Sequence, residues 1–377
     1  MTAIERRAIA PRADWQARAE AVGMIFHHTH GDVYWNESAH YRLTSADVEL
    51  IETATNELWA RCLDAVEHVV TRRRYTELAI SDAAVPLIEA SWNDDHPSIY
   101  GRFDLGYRTG EPPKLFEFNA DTPTMLLEAA VVQWKWKEEV FPTADQFNSL
   151  HEKLIAKWQS LRDLLREPIH FAHTENVEDL MTVTYLRDTA EQAGYRTIGL
   201  HVGDIGWHHI RGFTDLDERP ILNLFKLYPW EWLLREAFAS HLSPGLPYWI
   251  EPPWRMILSN KSILPILWEL FPNHPNLLPA FREPAGLREW VKKPRFGREG
   301  QNVEVKTATG GEQQAGEYDD EGFVYQQYFA LPVYDGRRAV VGSWVVDEES
   351  AGVGIRESEG LITKNESPFV PHVIQDR

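Results

Sequence analysis

Residues 101–124 place three oxygen-bearing side chains on two short extended runs joined by a turn. Asp104 lies in an Arg-Phe-Asp-Leu run, and residues 110–113, with one glycine and two prolines, turn the chain. Residues 114–119 alternate polar with apolar side chains, as a half-buried strand does. Glu117 and Asn119 therefore share one face of a strand in a predicted β-hairpin.

Two interpretations of this hairpin stay open on spacing alone. Carboxylate and amide oxygens are the ligands that Mg²⁺ prefers, so Asp104, Glu117 and Asn119 are a candidate metal site. In the alternative, Arg102 and Arg108 neutralise the acids of an ordinary salt-bridged hairpin, which is a common surface feature.

Residues 290–300 predict a strand that leads Lys293 into a loop containing Gly297 and Gly300. The two glycines permit a close approach of the backbone, and the lysine supplies a positive charge that can reach phosphate oxygens. A single G-x-x-G pattern is weak evidence by itself. The segment is a candidate phosphate-binding loop.

Two further strands are predicted after that loop, an aromatic one at 323–329 and a second at 342–347. The small residues that follow the second strand predict a loop that leads to Arg356. This arginine either binds phosphate or pairs with Glu357 or Glu359.

A β-α-β unit is predicted from a strand at 168–173, a helix at 177–192 and a strand at 195–202, and residues 221–228 extend the same lobe. Acidic residues mark the start of the helix, a usual ligand-facing crevice of α/β sheets: Glu175, Glu178 and Asp179. Glu178 either holds a substrate ammonium group or complements the helix dipole as a first-turn acid.

Thr44 and Asp47 predict a capping box that begins a long helix. Apolar residues recur in it at helical spacing: Val48, Ile51, Leu58, Cys62, Val66 and Val69. Cys62 is therefore expected to be a buried packing residue and not a nucleophile. With no evident repeat or long low-complexity linker, one compact assembly is expected.

The 377 residues carry a net charge of −19 and one cysteine. This charge argues against broad nucleic-acid binding, which depends on accumulated lysine and arginine. It reflects either ordinary solubility or a cationic amine substrate. We expect no membrane span, no signal peptide, no disulfide framework and a cytoplasmic location.

Clustered histidines at residues 26–32 are more typical of a loop or substrate pocket than of a zinc site, because no cysteine or distant partner accompanies them. Most of the 15 tryptophans are expected in the core or between lobes, with some in a pocket.

Taken together, these segments resemble the synthetase domain of glutathionylspermidine synthase and its stand-alone relatives, which have the ATP-grasp fold. The resemblance runs from about Gly23 to the C-terminus. It is carried by residues 34–37, 102–104, 117–122, 260–268, 293–300, 325–327 and 354–356.

The resemblance implies roles for individual side chains. It assigns Mg²⁺ to Asp104, Glu117 and Asn119, and it assigns the acid substrate to Arg102, Thr122 and Thr124, the last two standing where the family has serines. It implies that Glu178 belongs to the substrate pocket. The residues implied for ATP are Lys261, Lys293, Gly297, Gly300, Gln326, Gln327 and Tyr328, with Arg356 stabilising the transferring phosphoryl group.

Departures from the family pattern fall in both pockets. Leu227 stands where the family has a threonine near the acid substrate, and Val340 replaces a glutamine near adenine. The amidase domain of the bifunctional enzymes is expected to be absent. Glu117 and Asn119 precede the ATP lysines, which is the permuted order of this family and of eukaryotic-type glutathione synthetases.

We therefore expect an α/β (α+β) chain with a permuted ATP-grasp fold and a pre-ATP-grasp α/β lobe. One module spans 1–377, with a metal-site and helical region at 1–150, the pre-ATP-grasp lobe at 151–284 and an ATP-binding lobe at 285–377. Loops containing Gly310, Gly311 and Gly316 are expected to cover the phosphates as a mobile lid.

The resemblance implies an ATP- and Mg²⁺-dependent acid–amine ligase that works through an acyl phosphate. Its substrates would be a small carboxylate, glutathione or peptide-like, and an amine, a polyamine or amino acid. A non-catalytic ATP-binding regulator or scaffold is one alternative. A carbohydrate- or peptide-binding protein with tryptophans in a cleft is the other.

Overall fold

Three larger β-sheets organise the computed structural model, which describes residues 4–29, 31–318 and 321–376. The helices are α1 (Trp15–Ala21), α2 (Ser45–Arg72), α3 (Val85–Asn93), α4 (Gln133–Val140), α5 (Leu150–Ser160), α6 (Val177–Gln192), α7 (Trp230–Leu233), α8 (Arg255–Ser259) and α9 (Ile263–Leu270). The strands are β1 (Glu5–Ala8), β2 (His28–Thr29), β3 (Asp32–Val33), β4 (Ala39–Leu43), β5 (Tyr100–Gly106), β6 (Lys114–Asn119), β7 (Ile169–His173), β8 (Thr197–His201), β9 (Gly206–His208), β10 (Gly212–Thr214), β11 (Asn223–Leu227), β12 (Tyr248–Ile250), β13 (Ala280–Phe281), β14 (Trp290–Pro294), β15 (Glu304–Thr307), β16 (Gly310–Gln313), β17 (Phe323–Gln327), β18 (Val333–Tyr334), β19 (Arg337–Val346), β20 (Glu349–Ser358), β21 (Phe369–Val370) and β22 (His372–Ile374).

The first sheet is antiparallel, in the order β21-β20-β19-β5-β6, with β18 beside β19. Strands β5 and β6 confirm the predicted hairpin, and their register sets Asp104 opposite Glu117 and Arg102 opposite Asn119. Because β19 pairs with β5, this sheet joins strands from the first and the last of the three predicted lobes.

The expected loop before Arg356 is wrong, because residues 350–355 lie inside strand β20. The small residues there serve close packing. A Cβ atom on Gly354 would lie 2.7 Å from the ring of Phe369 on the neighbouring strand β21. Glycine was therefore a signal of tight contact between strands and not of a turn.

The second sheet is parallel, in the order β12-β11-β7-β8. Strand β7, helix α6 and strand β8 confirm the predicted β-α-β unit, although β8 begins two residues later than expected. The side chain of Asn176 caps α6 by accepting a hydrogen bond from the Glu178 amide at 2.7 Å. The carboxyl ends of β7 and β11 meet at one edge, the usual ligand-binding edge of such sheets.

The third sheet is antiparallel, in the order β13-β17-β14-β15-β16. It contains the predicted lysine strand as β14 and the aromatic strand as β17, which ends at Gln327 and not at residue 329. Gly310 and Gly311 lie in the edge strand β16, so they belong to a hairpin with β15 and not to an open loop.

Helix α2 begins at the predicted capping box. The Asp47 amide donates to the Thr44 hydroxyl at 3.2 Å, and the Thr44 amide donates to the Asp47 carboxylate at 2.9 Å. Cys62 is fully buried in α2, as predicted, and burial raises the pKa of its thiol to about 12. Within the described ranges, no helix combines the length and the apolar character needed to cross a bilayer.

Candidate nucleotide and substrate site

A cavity of about 320 Å³ is lined by residues of all three larger sheets. Every residue that the resemblance assigns to the metal, the nucleotide or the substrates lines it, although these residues come from segments far apart in the chain. They are Arg102, Asp104, Glu117, Asn119, Thr122, Thr124, Glu178, Lys261, Lys293, Gly297, Gly300, Gln326, Gln327, Tyr328 and Arg356. The structure brings the set together, and the role of each member stays a prediction.

Asp104 is held between two arginines. Arg102 donates to its carboxylate at 2.7 Å, and a guanidinium nitrogen of Arg356 lies 3.9 Å from it. The salt-bridged interpretation is therefore right for Arg102. Arg108 pairs with a different acid of the hairpin, Glu111, at 3.5 Å, and donates to the Ala330 carbonyl at 3.0 Å, so it neutralises neither Asp104 nor Glu117.

The alternative in which Arg356 pairs with Glu357 or Glu359 is wrong. Besides approaching Asp104, Arg356 donates to the Lys364 carbonyl at 3.2 Å. Glu357 pairs instead with Arg6 at 2.7 Å, and Glu359 pairs with Arg337 at 3.1 Å. Since alternate residues of a strand face opposite sides, Arg356 points into the cavity while Glu357 faces the core.

The carboxylate of Glu117 lies 3.2 Å from the ammonium of Lys261, and 27% of its side chain is exposed. Burial acts to raise the pKa of Glu117, but the charges of Lys261, Lys293 and Arg102 outweigh it and hold the pKa well below its ordinary value. Glu117 is therefore a carboxylate at any physiological pH, as a metal ligand must be.

The donor set of two carboxylates and one amide suits a hard cation such as Mg²⁺. The buried side-chain amide nitrogen of Asn119 has no hydrogen-bond partner among the described residues; as a donor it would suit a phosphate oxygen, and only the amide oxygen could bind the cation. Over the same residues, no group of three or more His, Cys, Asp or Glu side chains is arranged for a metal, so a site here depends on the amide.

Lys293 reaches from β14 across to the hairpin. Its ammonium donates to the Phe116 carbonyl at 2.8 Å and to the Gln326 amide oxygen at 2.9 Å. Burial lowers the pKa of Lys293 to about 8, with help from the charge of Lys261 and against that of Glu117. This lysine therefore loses its proton more readily in the free protein than an exposed lysine does.

The glycine-containing loop after β14 lies against Lys261, whose ammonium donates to the Gly297 carbonyl at 2.6 Å. Gly300 has a φ of +73°, and a Cβ atom there would lie 2.7 Å from the Thr363 carbonyl oxygen. Only glycine fits that position without strain. The loop is thus shaped by its sequence to lie close to the cavity.

Gln326, Gln327 and Tyr328 continue the cavity wall along and beyond β17. The amide nitrogen of Gln326 donates to the Leu115 carbonyl at 2.8 Å, so this side chain ties the third sheet to the hairpin. Val340 lines the same cavity and lies directly opposite Arg356 in the first sheet. The substitution noted at Val340 therefore removes a polar group from the cavity wall.

Acidic and polar residues at the carboxyl end of β7 form an acidic wall, which we define as Thr174, Asn176, Glu178 and Asp179. Burial, together with Glu178, raises the pKa of Asp179 to about 6 even though Thr174 donates a hydrogen bond to it. Glu178 is both a first-turn residue of α6 and a cavity residue, so the two interpretations of it are compatible.

Arg298 lies between Gly297 and Gly300 in the glycine-containing loop, and the sequence predicts no role for it. Its guanidinium donates to the Thr122 hydroxyl at 2.7 Å and to the Glu231 carboxylate at 2.8 Å. It thereby connects the glycine-containing loop to the segment after β6 and to α7. An arginine between Gly297 and Gly300 was the available signal, but its partners could not be read from the sequence.

Other candidates lie elsewhere. The rings of His27 and His28 contact each other at 2.6 Å and pack edge-on and tilted, respectively, against Trp15. In the described structure neither lines the cavity, so a substrate-pocket role is wrong for both. His30 of the same cluster lies outside the described residues. Trp232 is the one tryptophan lining the cavity in the described ranges, which disfavours a cleft built on tryptophans.

Comparison with known proteins places this chain among the ATP-dependent carboxylate–amine ligases of mixed α/β, ATP-grasp type. Residues 6–375 match the family described as glutathionylspermidine synthase preATP-grasp. The chain belongs to this family.

Named relatives agree with this assignment. A Haemophilus influenzae protein whose name proposes an acid–amine ligase is 43% identical over 359 residues, with 91% of each chain covered. Trypanothione synthetase of Crithidia fasciculata is 30% identical over 75% of this chain and 48% of its own length. The bifunctional glutathionylspermidine synthetase/amidase of Escherichia coli is 26% identical over 96% of this chain and 63% of its own length.

Among solved structures, a glutathione synthetase-like effector from Globodera pallida, in its apo form, has the same fold. The TM-score is 0.61, with 96% of this chain and 95% of that chain covered. The sequences are only 9% identical, so this likeness concerns the fold alone.

Proposed function

We propose that the protein joins a small carboxylic acid to an amine, with ATP and Mg²⁺, through an acyl phosphate. One observation carries this proposal: a single cavity has lysines and arginines around two carboxylates in one part and an acidic wall in another. The first part suits a metal-bound triphosphate, and the second suits a cationic amine.

In the first step, a carboxylate oxygen of the acid attacks the γ-phosphorus of ATP, the bond to the β-phosphate oxygen breaks, and ADP leaves. Lys261 and Lys293 would hold phosphate oxygens, and Arg356 would offset charge on the transferring group. Mg²⁺, when held by Asp104, Glu117 and Asn119, would neutralise phosphate charge.

In the second step, the amine nitrogen attacks the acyl carbon, the carbon–oxygen bond to phosphate breaks, and an amide forms. The acidic wall would attract the ammonium form of the amine and keep it near the acyl group. Attack requires the free amine, so one proton leaves the ammonium nitrogen before attack, and a second leaves it as the amide forms and departs with the phosphate. Asp179, with a pKa of about 6, is able to accept a proton near neutral pH.

The substrate classes follow from the names of the relatives, which synthesise glutathionylspermidine or trypanothione. We propose a glutathione-like or peptide-like acid and a polyamine or amino-acid amine. Leu227 and Val340 distinguish this cavity from the family pattern, so the actual pair has to be found by experiment.

The test is ADP release by the purified protein with ATP and Mg²⁺ across a panel of acids, each with and without an amine. ADP release that needs one acid–amine pair, together with the mass of the condensed product, is the expected result. Tight ATP binding without turnover on any pair would instead favour a non-catalytic ATP-binding regulator or scaffold.

We also propose a cytoplasmic location, because the one cysteine is a buried free thiol, which suits a reducing compartment. Fractionation of cells that express the protein checks this, and recovery from an oxidising compartment would contradict it.

A further inference from the structure

The part of the cavity next to the acidic wall is apolar. Leu227, the last residue of β11, and Pro229 and Trp232 beyond it form what we define as the apolar wall, with Trp232 half-buried and Leu227 and Pro229 buried at its base. In the parallel pair of β11 and β7, Leu227 lies beside His173, the residue before the acidic wall begins. Neighbouring strands therefore present two chemically different surfaces to one substrate space.

The apolar wall is fixed to the segment that follows β6. Lys226, just before Leu227, donates to the buried carboxylate of Asp121 at 2.7 Å, and the Trp230 amide donates to the same carboxylate at 2.9 Å. Asp121 directly precedes Thr122. These contacts set the apolar wall beside the chain that carries Thr122.

A cation completes this region. The guanidinium carbon of Arg298 lies 5.7 Å from the ring centroid of Trp232, while the guanidinium donates to Thr122 at 2.7 Å. A bound group here meets an arginine, a hydroxyl and an apolar surface together. That combination suits a molecule with a carboxylate and an apolar side chain.

We infer that the acid substrate is a peptide-like carboxylate whose apolar side chain packs against Leu227, Pro229 and Trp232. This inference rests on the proposed function and adds the chemical character of the side chain that the acid carries. The wall is assigned to the acid because it adjoins Arg298, whereas an ammonium group is favoured beside Glu178 and Asp179. A hydroxyl or amide side chain packed on Leu227 would lose hydrogen bonds to water and gain none from it.

Calorimetry on the full chain with Mg²⁺ and a non-hydrolysable ATP analogue tests the inference. The probes are γ-glutamyl-leucyl-glycine, γ-glutamyl-seryl-glycine and glutathione, which share a backbone and the same backbone charges. Binding of the leucyl peptide is expected to be about 10- to 100-fold tighter than binding of the seryl peptide. Equal affinities, or a preference for the seryl peptide, would overturn the inference.

Substitutions at Leu227 test whether the preference for the leucyl peptide depends on the apolar wall. Leu227→Thr is expected to reduce the leucyl-to-seryl ratio to within about 3-fold, whereas Leu227→Met, which keeps an apolar side chain, preserves it. Leu180→Thr is the matched control, because Leu180 is an exposed residue of α6. An unchanged ratio in Leu227→Thr would also overturn the inference, and if that variant fails to fold, the peptide series on the unaltered chain still decides.

Different experimental results would contradict the inference and the proposed function. A preference for the leucyl peptide without ADP release on any pair would uphold the apolar wall as a binding surface and contradict the ligase. ADP release with a peptide acid but no preference for the apolar side chain would uphold the ligase and contradict the inference. Failure of all three peptides to bind would contradict the inference as well.

Discussion

The two parts of the cavity are built by different means. In the cationic part, Lys261 and Lys293 each have two fixed partners in other elements, so their positions are set before any ligand arrives. The substrate part combines the ends of parallel strands with a loop arginine, and it places acidic and apolar walls side by side. Preorganised charge suits a triphosphate, whose form is constant, whereas strand ends and loops are where specificity is set.

Replacing Glu117 with glutamine is expected to reduce activity more than any other change proposed for the cationic part. The change removes the charge of a proposed metal ligand and leaves Lys261 without its carboxylate partner. ADP release should fall on the order of 10²- to 10³-fold, while the thermal melting temperature changes little.

Glu111→Gln is the matched control, because Glu111 is an exposed acid of the same hairpin. It should leave ADP release unchanged. Full activity in a folded Glu117→Gln protein would remove Glu117 from the metal site.

Replacing Asp121 with asparagine tests what holds the substrate part to the hairpin. Lys226 and Asp121 are only 2% and 1% exposed, so the change leaves a buried ammonium without its counter-charge. We expect a loss of about 3–5 kcal/mol in the free energy of unfolding, measured by denaturant titration.

Arg196→Ala provides the comparison, because Arg196 is 75% exposed and pairs with Glu167 at the surface. Its unfolding midpoint should not move. Equal midpoints for the Asp121→Asn protein and the unaltered protein would show that the buried pair does not hold the two regions together.

Replacing Glu178 with glutamine should affect the substrate part alone. The acidic wall loses one charge, so the KM for the amine is expected to rise about 10-fold while the Kd for ATP is unchanged. Glu175→Gln, an exposed acid just before the same helix, serves as the control. A rise in the Kd for ATP, with the amine KM constant, would assign Glu178 to the cationic part.

A smaller effect is expected from pH. Because the pKa of Lys293 is lowered to about 8, the free protein loses the proton on this lysine above that pH. Phosphate binding favours the charged form, so the affinity for ATP should fall less than about 10-fold as pH rises from 7 to 9. Lys293→Arg keeps its charge throughout and should flatten the profile. The same fall in both proteins would exclude Lys293 as its cause.

The hairpin, the lysine strand and the β-α-β unit could be predicted because each depends on neighbouring residues. The alternation at 114–119 is a local signal of this kind. The prediction of a loop at 350–355 was wrong because glycine also permits two strands to pack closely. Here the close neighbour is the ring of Phe369, which leaves no space for a side chain at Gly354. Only the assembled sheet shows which reason applies.

The sequence predicted a set of side chains that the structure brings to one cavity, but it did not predict their partners. The approach of Arg356 to Asp104 depends on β19 lying between β20 and β5. The position of Arg298 depends on Thr122 and Glu231, which come from two other regions. Such pairings are fixed by sheet order, and no local pattern encodes sheet order.

Oxygen-isotope transfer tests the central claim most directly. The acid substrate, labelled with ¹⁸O in its reacting carboxylate, would be incubated with ATP, Mg²⁺, the amine and the protein, and the released phosphate analysed by mass spectrometry. The account predicts one ¹⁸O atom in each phosphate, because the carboxylate oxygen that attacks ATP stays with phosphorus when the amine displaces it. Unlabelled phosphate, with both ¹⁸O atoms still in the acid, would contradict an acyl phosphate and with it the ligase mechanism.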